Sequence, residues 1–248
     1  MPELDLVLFA AAVASLLAGG LVKGIIGIGT PLVVIPVLTI FVDVKLAVQL
    51  MALPLFLSNV FQGFRGRDTL AVIGRLTPTT IGLAGGIVVG VMLAGKMPDA
   101  MLLVVAGAAV CVGAAATALA PGFKIPASLE KIAGFAAGAV GGVLGGLTTL
   151  FGPAVALYLT GLRLSPGDFV KAVSILYTVG SGTLFVAVLG VQSPAGDTLL
   201  LSLAACPPLF VGMVAGGRIR GMLPQAALRL FVLAVVFIGG ANMILRGI

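Results

Sequence analysis

Histidine and tryptophan are both missing from this chain of 248 residues, and cysteine occurs only twice. Without histidine there is no Ser–His or Cys–His nucleophile pair, and no imidazole-ligated metal or haem. Cys111 and Cys206 stand singly in separate apolar stretches, where a thiol packs as a small hydrophobe. Neither a disulfide nor a redox pair is expected from them. Acids are scarce too. Glu3, Asp5, Asp43, Asp68, Asp99, Glu130, Asp168 and Asp197 all fall in loops or at the ends of apolar stretches. No buried acid is left for a proton relay, and no acid pair for general acid–base chemistry. The chain is therefore not expected to be an enzyme, and no catalytic residue, metal site or cofactor is assigned.

What the sequence has in abundance is apolar side chains. They make up 60% of the chain against 9% charged residues, with a mean hydropathy of +1.27. A water-soluble domain of this length cannot hide so much apolar surface. Apolar runs of membrane-spanning length recur from end to end, which predicts an all-α polytopic membrane protein. The runs are apolar on all faces, unlike peripheral amphipathic helices, and the short alternating strands of a membrane barrel are absent. The net charge of +6 comes from loop lysines and arginines of the kind that anchor membrane helices, so no nucleic-acid partner is implied. The acidic start, Met-Pro-Glu-Leu-Asp, lacks the positive flank of a signal peptide, so the first apolar run is read as retained.

Apolar segments are read at 4–41, 46–63, 70–94, 99–120, 128–161, 167–190, 196–217 and 225–246. The first and fifth, at 38 and 34 residues, are too long for one crossing. A straight helix of that length would exceed about 50 Å, against a hydrocarbon core of about 30 Å. Each must be broken, as a re-entrant hairpin or as two short spans. Charge tests the choice. If each long segment crosses once, the loop and helix-end cations split seven to six between the two sides. If each returns to its starting side, one side collects ten: Arg65, Arg67, Arg75, Lys124, Lys131, Arg163, Lys171, Arg218, Arg220 and Arg229. The other keeps three, Lys45, Lys96 and Arg246, and only this bias fits the positive-inside rule. The N-terminus then lies outside the cell inner membrane. The chain divides into an N-terminal repeat, 1–120, and a C-terminal repeat, 121–248, each a broken hairpin plus three spans. An odd number of crossings per half makes them inverted-topology repeats. The short likenesses "KGIIGIGT" to "GGVLGGLT", and "KLAVQL" to "VKAVSIL", agree with that division.

Both long segments carry helix-weakening residues near the middle: "GIIGIGTPLVVIP" from Gly24 to Pro36 and "GVLGGLTTLFGP" from Gly142 to Pro153. A break in lipid exposes backbone N–H and C=O groups, which survive only inside protein or facing a watery cavity. Helix N-termini at such a break favour anions. The expected substrate-binding positions are Lys23, Gly27, Gly29, Thr30 and Pro31 in the first break. In the second they are Gly145, Gly146, Thr148, Thr149, Gly152 and Pro153. Lys23 is the single charge inside a span. Read functionally it is a fixed cation beside the anion. The blander and commoner reading is a lysine snorkelling from the end of a 19-residue span. Polar positions in the spans after each hairpin, Gln49, Ser58, Asn59, Ser174, Tyr177 and Ser181, form a second choice of pocket lining. Such residues more often join neighbouring helices. Glycines four apart, Gly82, Gly86 and Gly90, then Gly134, Gly138, Gly142 and Gly146, then Gly212 and Gly216, are expected at close helix contacts. Pro54 and Pro207–Pro208 are expected to kink their helices.

With its two halves each opening on a Gly-rich, Pro-terminated segment, the chain resembles the sulfite exporter TauE/SafE family. The likeness rests on Gly24, Gly27, Gly29, Thr30 and Pro31 through Pro36, and on Gly142, Gly145 and Gly146 through Pro153. It covers essentially the whole chain. The resemblance implies a secondary transporter that exports sulfite or organosulfonates across the inner membrane. The partners implied are a small anion and the lipid bilayer, and a homodimer is an assembly the sequence leaves open. Two other readings share the architecture. One is an aquaporin-like anion or solute channel, although "TPL" and "GPA" stand where its asparagine-bearing signature would be. The other is a Na⁺-coupled importer.

Overall fold

A computed structural model describes residues 2–63, 70–119, 124–220 and 225–248. Among these no strand occurs, and the helices run in chain order. They are α1 (Pro2–Ile26), α2 (Thr30–Leu38), α3 (Val44–Gly63), α4 (Leu70–Ala94) and α5 (Asp99–Leu119), then α6 (Glu130–Thr148) and α7 (Gly152–Gly161). After them come α8 (Pro166–Ala187), α9 (Gly196–Ala204), α10 (Cys206–Ile219) and α11 (Gln225–Gly247). Among the described residues six helical stretches are long and apolar enough to cross a membrane, as a polytopic membrane protein requires.

Both over-long segments are broken where glycine and proline predicted. The first ends as α1 at Ile26 and restarts as α2 at Thr30, with Gly27 and Gly29 at φ 96° and 108° between them. Proline in the first turn of α2 and of α7 gives up only an N–H that has no helical partner there. Other starts follow their sequence signals. Ser165 accepts the Asp168 N–H at the head of α8, and Asp43 accepts from Leu46 at the head of α3. The prolines differ in effect. Helix α3 continues through Pro54, whereas Pro207–Pro208 stand in the first turn of α10, just after α9 stops. Helix α8 unwinds into a π-helical turn at Val188–Gln192, for which the sequence carried no signal.

The glycine stripes decide how the helices meet. Gly82, Gly86 and Gly90 of α4 lie against the backbone of Phe135, Ala139, Val143 and Gly146 in α6, while Gly138, Gly142 and Gly146 lie against α4. A Cβ on Gly142 would come within 2.9 Å of the Gly86 Cα. Gly20 and Gly24 of α1 meet Gly212 and Gly216 of α10 in the same manner, each set abutting the other helix's backbone. Small residues allow this approach, and dispersion contacts follow from it. Helix α3 packs against α8 along the middle of the bundle, α2 against α11, and α7 against α5. Two large apolar clusters result, beside a small third one of Ala109, Val110 and Leu150. One joins α4, α6, α7 and α8, the other α1, α2, α10 and α11, with α3 and α5 contributing to both.

The C-cap carbonyl of α2 and the last carbonyl of α7 are each satisfied from another part of the chain. Arg246 of α11 donates to the Thr39 carbonyl over 2.6 Å, and the Ile125 N–H donates to the Gly161 carbonyl over 3.0 Å. Their N-termini, which carry no side-chain cap, face inward.

Candidate functional site

The two breaks converge. A cavity of about 50 Å³ is lined from the first by Lys23, Gly29, Thr30 and Pro31, and from the second by Thr149, Phe151, Gly152 and Pro153. Asn59 of α3 and Tyr177 of α8 close its sides. The N-termini of α2 and α7 therefore bound one space, and their dipoles add there.

Lys23 does not snorkel. It is 3% exposed, and its ammonium donates to the Ser58 hydroxyl over 2.8 Å and to the Asn59 side-chain oxygen. Snorkelling fails because the chain turns inward at Gly27, which keeps this last turn of α1 inside the bundle. No carboxylate among the described residues pairs with it. Asn59 passes the network on, donating to the Tyr177 carbonyl at 3.2 Å and the Ser181 hydroxyl at 3.1 Å. One cation is thus fixed by neutral groups of α3, which are themselves fixed by α8.

The second break supplies a hydroxyl. Thr149 caps α6 at φ 69°, a left-handed conformation that a β-branched residue adopts rarely. Its side chain is buried, and its hydroxyl has no hydrogen-bond partner. Thr30 differs, since its hydroxyl donates to the Gly19 carbonyl at 3.3 Å. Tyr177 packs edge-on against Phe151, 5.2 Å between ring centres, and its hydroxyl abuts Gly152 so closely that a Cβ there would clash.

Other residues named from the sequence lie elsewhere. Gly27 forms the turn without lining the cavity, and Gly146 is spent on the contact with α4. Gly145 leaves room for the Phe151 side chain, whose ring edge lies 2.9 Å from where a Cβ would be. The Thr148 hydroxyl donates back to the Leu144 carbonyl at 2.7 Å. Ser58 and Ser181 serve the lysine network rather than the cavity wall. Gln49 bonds Gln192 at the far end of α3, at 2.9 Å. Ser174 lines a second, larger space.

That second space is a vestibule of about 1060 Å³ between α1, α3, α8 and α10. Phe56, Val60, Val179 and Met213 give it apolar walls, and Lys171, Arg218 and Arg220 make it basic. No acid lines it. Lys23 lines both spaces and stands at their junction. The sequence marked these three cations only as membrane anchors, because their convergence depends on how α8 and α10 pack.

Comparison with curated proteins found no match, and neither did comparison with solved structures. A family model described as sulfite exporter TauE/SafE matches residues 11–243, nearly the whole chain and both helix breaks. The chain, a multi-pass membrane protein with two interrupted segments meeting at a buried lysine, belongs to the sulfite exporter TauE/SafE family.

Proposed function

We propose that this protein is a secondary transporter that exports sulfite or organosulfonate anions across the cell inner membrane by alternating access. The observation that carries this reading is the cavity at which both helix breaks meet, with Lys23 buried in it and no carboxylate among the described residues to neutralise it. A lone buried cation costs several kcal/mol, and a bound anion offsets that cost. Anionic oxygens suit the two helix N-termini and the hydroxyl of Thr149.

The packing supports two inverted repeats, 1–120 and 121–248. The first helix of each half lies on a glycine stripe of the other half, α1 on α10 and α6 on α4. Likewise α2 packs on α11 where α7 packs on α5. Exchange of the two halves maps each pair onto its counterpart, which is the relation that alternating access uses. The basic vestibule opens at the end of the bundle bearing Lys171, Arg218 and Arg220, which the charge bias assigns to the cytoplasm with the N-terminus outside. At the opposite end α3 is held to α8 and α9 by the Gln49–Gln192 bond and by Ser202 donating to the Leu50 carbonyl at 2.9 Å. This arrangement corresponds to a carrier open to the inside. Export needs no coupling ion, since each negative charge leaving gains about 2.3 kcal/mol per 100 mV of inside-negative potential.

The test is reconstitution in liposomes loaded with sulfite or a short organosulfonate, with an imposed potential. Saturable efflux that accelerates as the inside is made negative supports the reading. No flux of either anion under any potential would remove it. Flux that never saturates would favour a channel, and strict dependence on Na⁺ an importer.

A further inference from the structure

We infer that the cavity admits singly charged sulfonate-type anions with a small apolar body and rejects doubly charged ones, and that Thr149 reads the headgroup. The inference rests on the transport reading above and narrows its substrate class.

The donor inventory is short. Among the described residues Lys23 is the only cation lining the cavity. An ammonium has three donors, and Ser58 and Asn59 engage two, which leaves one for a ligand. The Thr30 hydroxyl is used on Gly19, whereas the Thr149 hydroxyl is buried and unpartnered. The site thus offers one charged donor, one neutral hydroxyl and the two helix ends. The remaining lining includes Ile28, Leu32, Leu55, Leu150 and Ala156. A second negative charge on the ligand would face these side chains with no cation to meet it, which costs several kcal/mol. The vestibule could hold a dianion on Lys171, Arg218 and Arg220, but none of these reaches the cavity. Selection by charge therefore falls at the passage beside Lys23.

Thr149 carries two unfavourable features at once. The equivalent turn in the first break uses glycine. The Gly27 N–H returns to the Lys23 carbonyl and the Thr149 N–H to the Gly145 carbonyl, both at 2.7 Å, and a proline follows four positions on in each case. A left-handed backbone strains a non-glycine residue. A buried unsatisfied hydroxyl adds a desolvation penalty that no bond offsets. Glycine would avoid both. A ligand oxygen accepting from this hydroxyl explains why threonine stands there instead.

The experiment uses the full chain in proteoliposomes. Initial rates are measured for methanesulfonate and ethanesulfonate against sulfate and sulfoacetate. Sulfite is measured while titrated through its second ionisation, with methanesulfonate, whose charge is constant, reporting the protein's own pH response. Monoanions are expected to move with one charge each and dianions at least roughly tenfold more slowly. Sulfite flux, normalised to methanesulfonate, should follow the singly protonated fraction. T149V should raise the KM for methanesulfonate by roughly tenfold, and T149S should restore it. T149G should raise KM equally while leaving the melting temperature unchanged or higher, which separates binding from folding. Dianions carried as fast as methanesulfonate overturn the charge selection. Unchanged KM in both T149V and T149G overturns the role of Thr149. A wild-type protein that moves methanesulfonate and sulfite but fails these comparisons leaves the transport reading standing. One that moves no anion at all sinks both.

Discussion

Lys23 of α1 donates to the side-chain oxygen of Asn59 on α3, and neither residue has a described carboxylate beside it. The pair links the end of a broken helix to the central α3–α8 contact. Substitution at Lys23 should therefore act on charge more than on packing. K23Q keeps two donors on a side chain one bond shorter and loses the charge, so anion flux in proteoliposomes is expected to fall roughly 10- to 100-fold, the loss of one charge-assisted bond. Its melting temperature in detergent should hold or rise, since an uncompensated buried charge is removed. Wild-type flux from K23Q would show that the lysine is structural.

Asn59 has the opposite profile. It is 2% exposed, and its side chain bonds three partners on α1 and α8, Lys23, Tyr177 and Ser181. N59A leaves the lysine half-satisfied and removes two interhelical bonds. A stability loss of about 1–3 kcal/mol is expected, read as a lower thermal midpoint, together with a raised KM. N59D would set a carboxylate against Lys23, neutralise the cavity and stop anion flux while keeping the fold.

The α4–α6 crossing tests the glycine stripes. A side chain on Gly142 would meet the Gly86 Cα and the Ile87 N, both at 2.9 Å, and neither is a flexible side chain that can give way. G142V should destabilise by about 1–3 kcal/mol through overpacking of rigid neighbours. Gly190 meets nothing, so G190A serves as the control and should be close to neutral. Equal thermal midpoints for the two variants would refute close packing as the reason for the stripe.

Arg246 holds the outer end of α2 through the Thr39 carbonyl. Its loss removes the donor from the single carbonyl that caps a nine-residue helix. R246M, which keeps the apolar stem, is expected to cost about 1–3 kcal/mol. Because α2 carries Gly29, Thr30 and Pro31 to the cavity, KM should rise as well.

The vestibule cations should govern the approach of the substrate and leave turnover untouched. R218Q combined with R220Q is expected to raise the KM for efflux several-fold at low ionic strength and to flatten its salt dependence, with kcat unchanged. A fall in kcat with KM constant would instead mean that these arginines act on conformational change.

Much of this was legible in residue order. Gly27, Gly29 and Pro31 located the first break, and Thr149, Gly152 and Pro153 the second, because helix propensity and the missing proline N–H are local properties. The glycine stripes announced close helix contacts through their spacing of four. The sequence could not say which helices would meet, since a stripe specifies a surface and not its partner. Register was misleading as well. "KGIIGIGT" aligned on "GGVLGGLT" pairs Lys23 with Gly141, whereas the left-handed residues and prolines pair Lys23 with Gly145. The backbone turn outweighs letter-by-letter similarity.

Composition and period alone determined that the chain is a helical membrane protein interrupted twice, because lipid offers the polar backbone no partner and the alternating strands of a barrel are absent. Tertiary structure decided what those interruptions hold. It buried Lys23 rather than letting it reach the surface, used the hydroxyls of Thr30 and Thr148 on backbone carbonyls, and left that of Thr149 unmet. Those outcomes depend on where α3, α8 and the two short helices stop relative to one another, a distance that no run of residues encodes by itself.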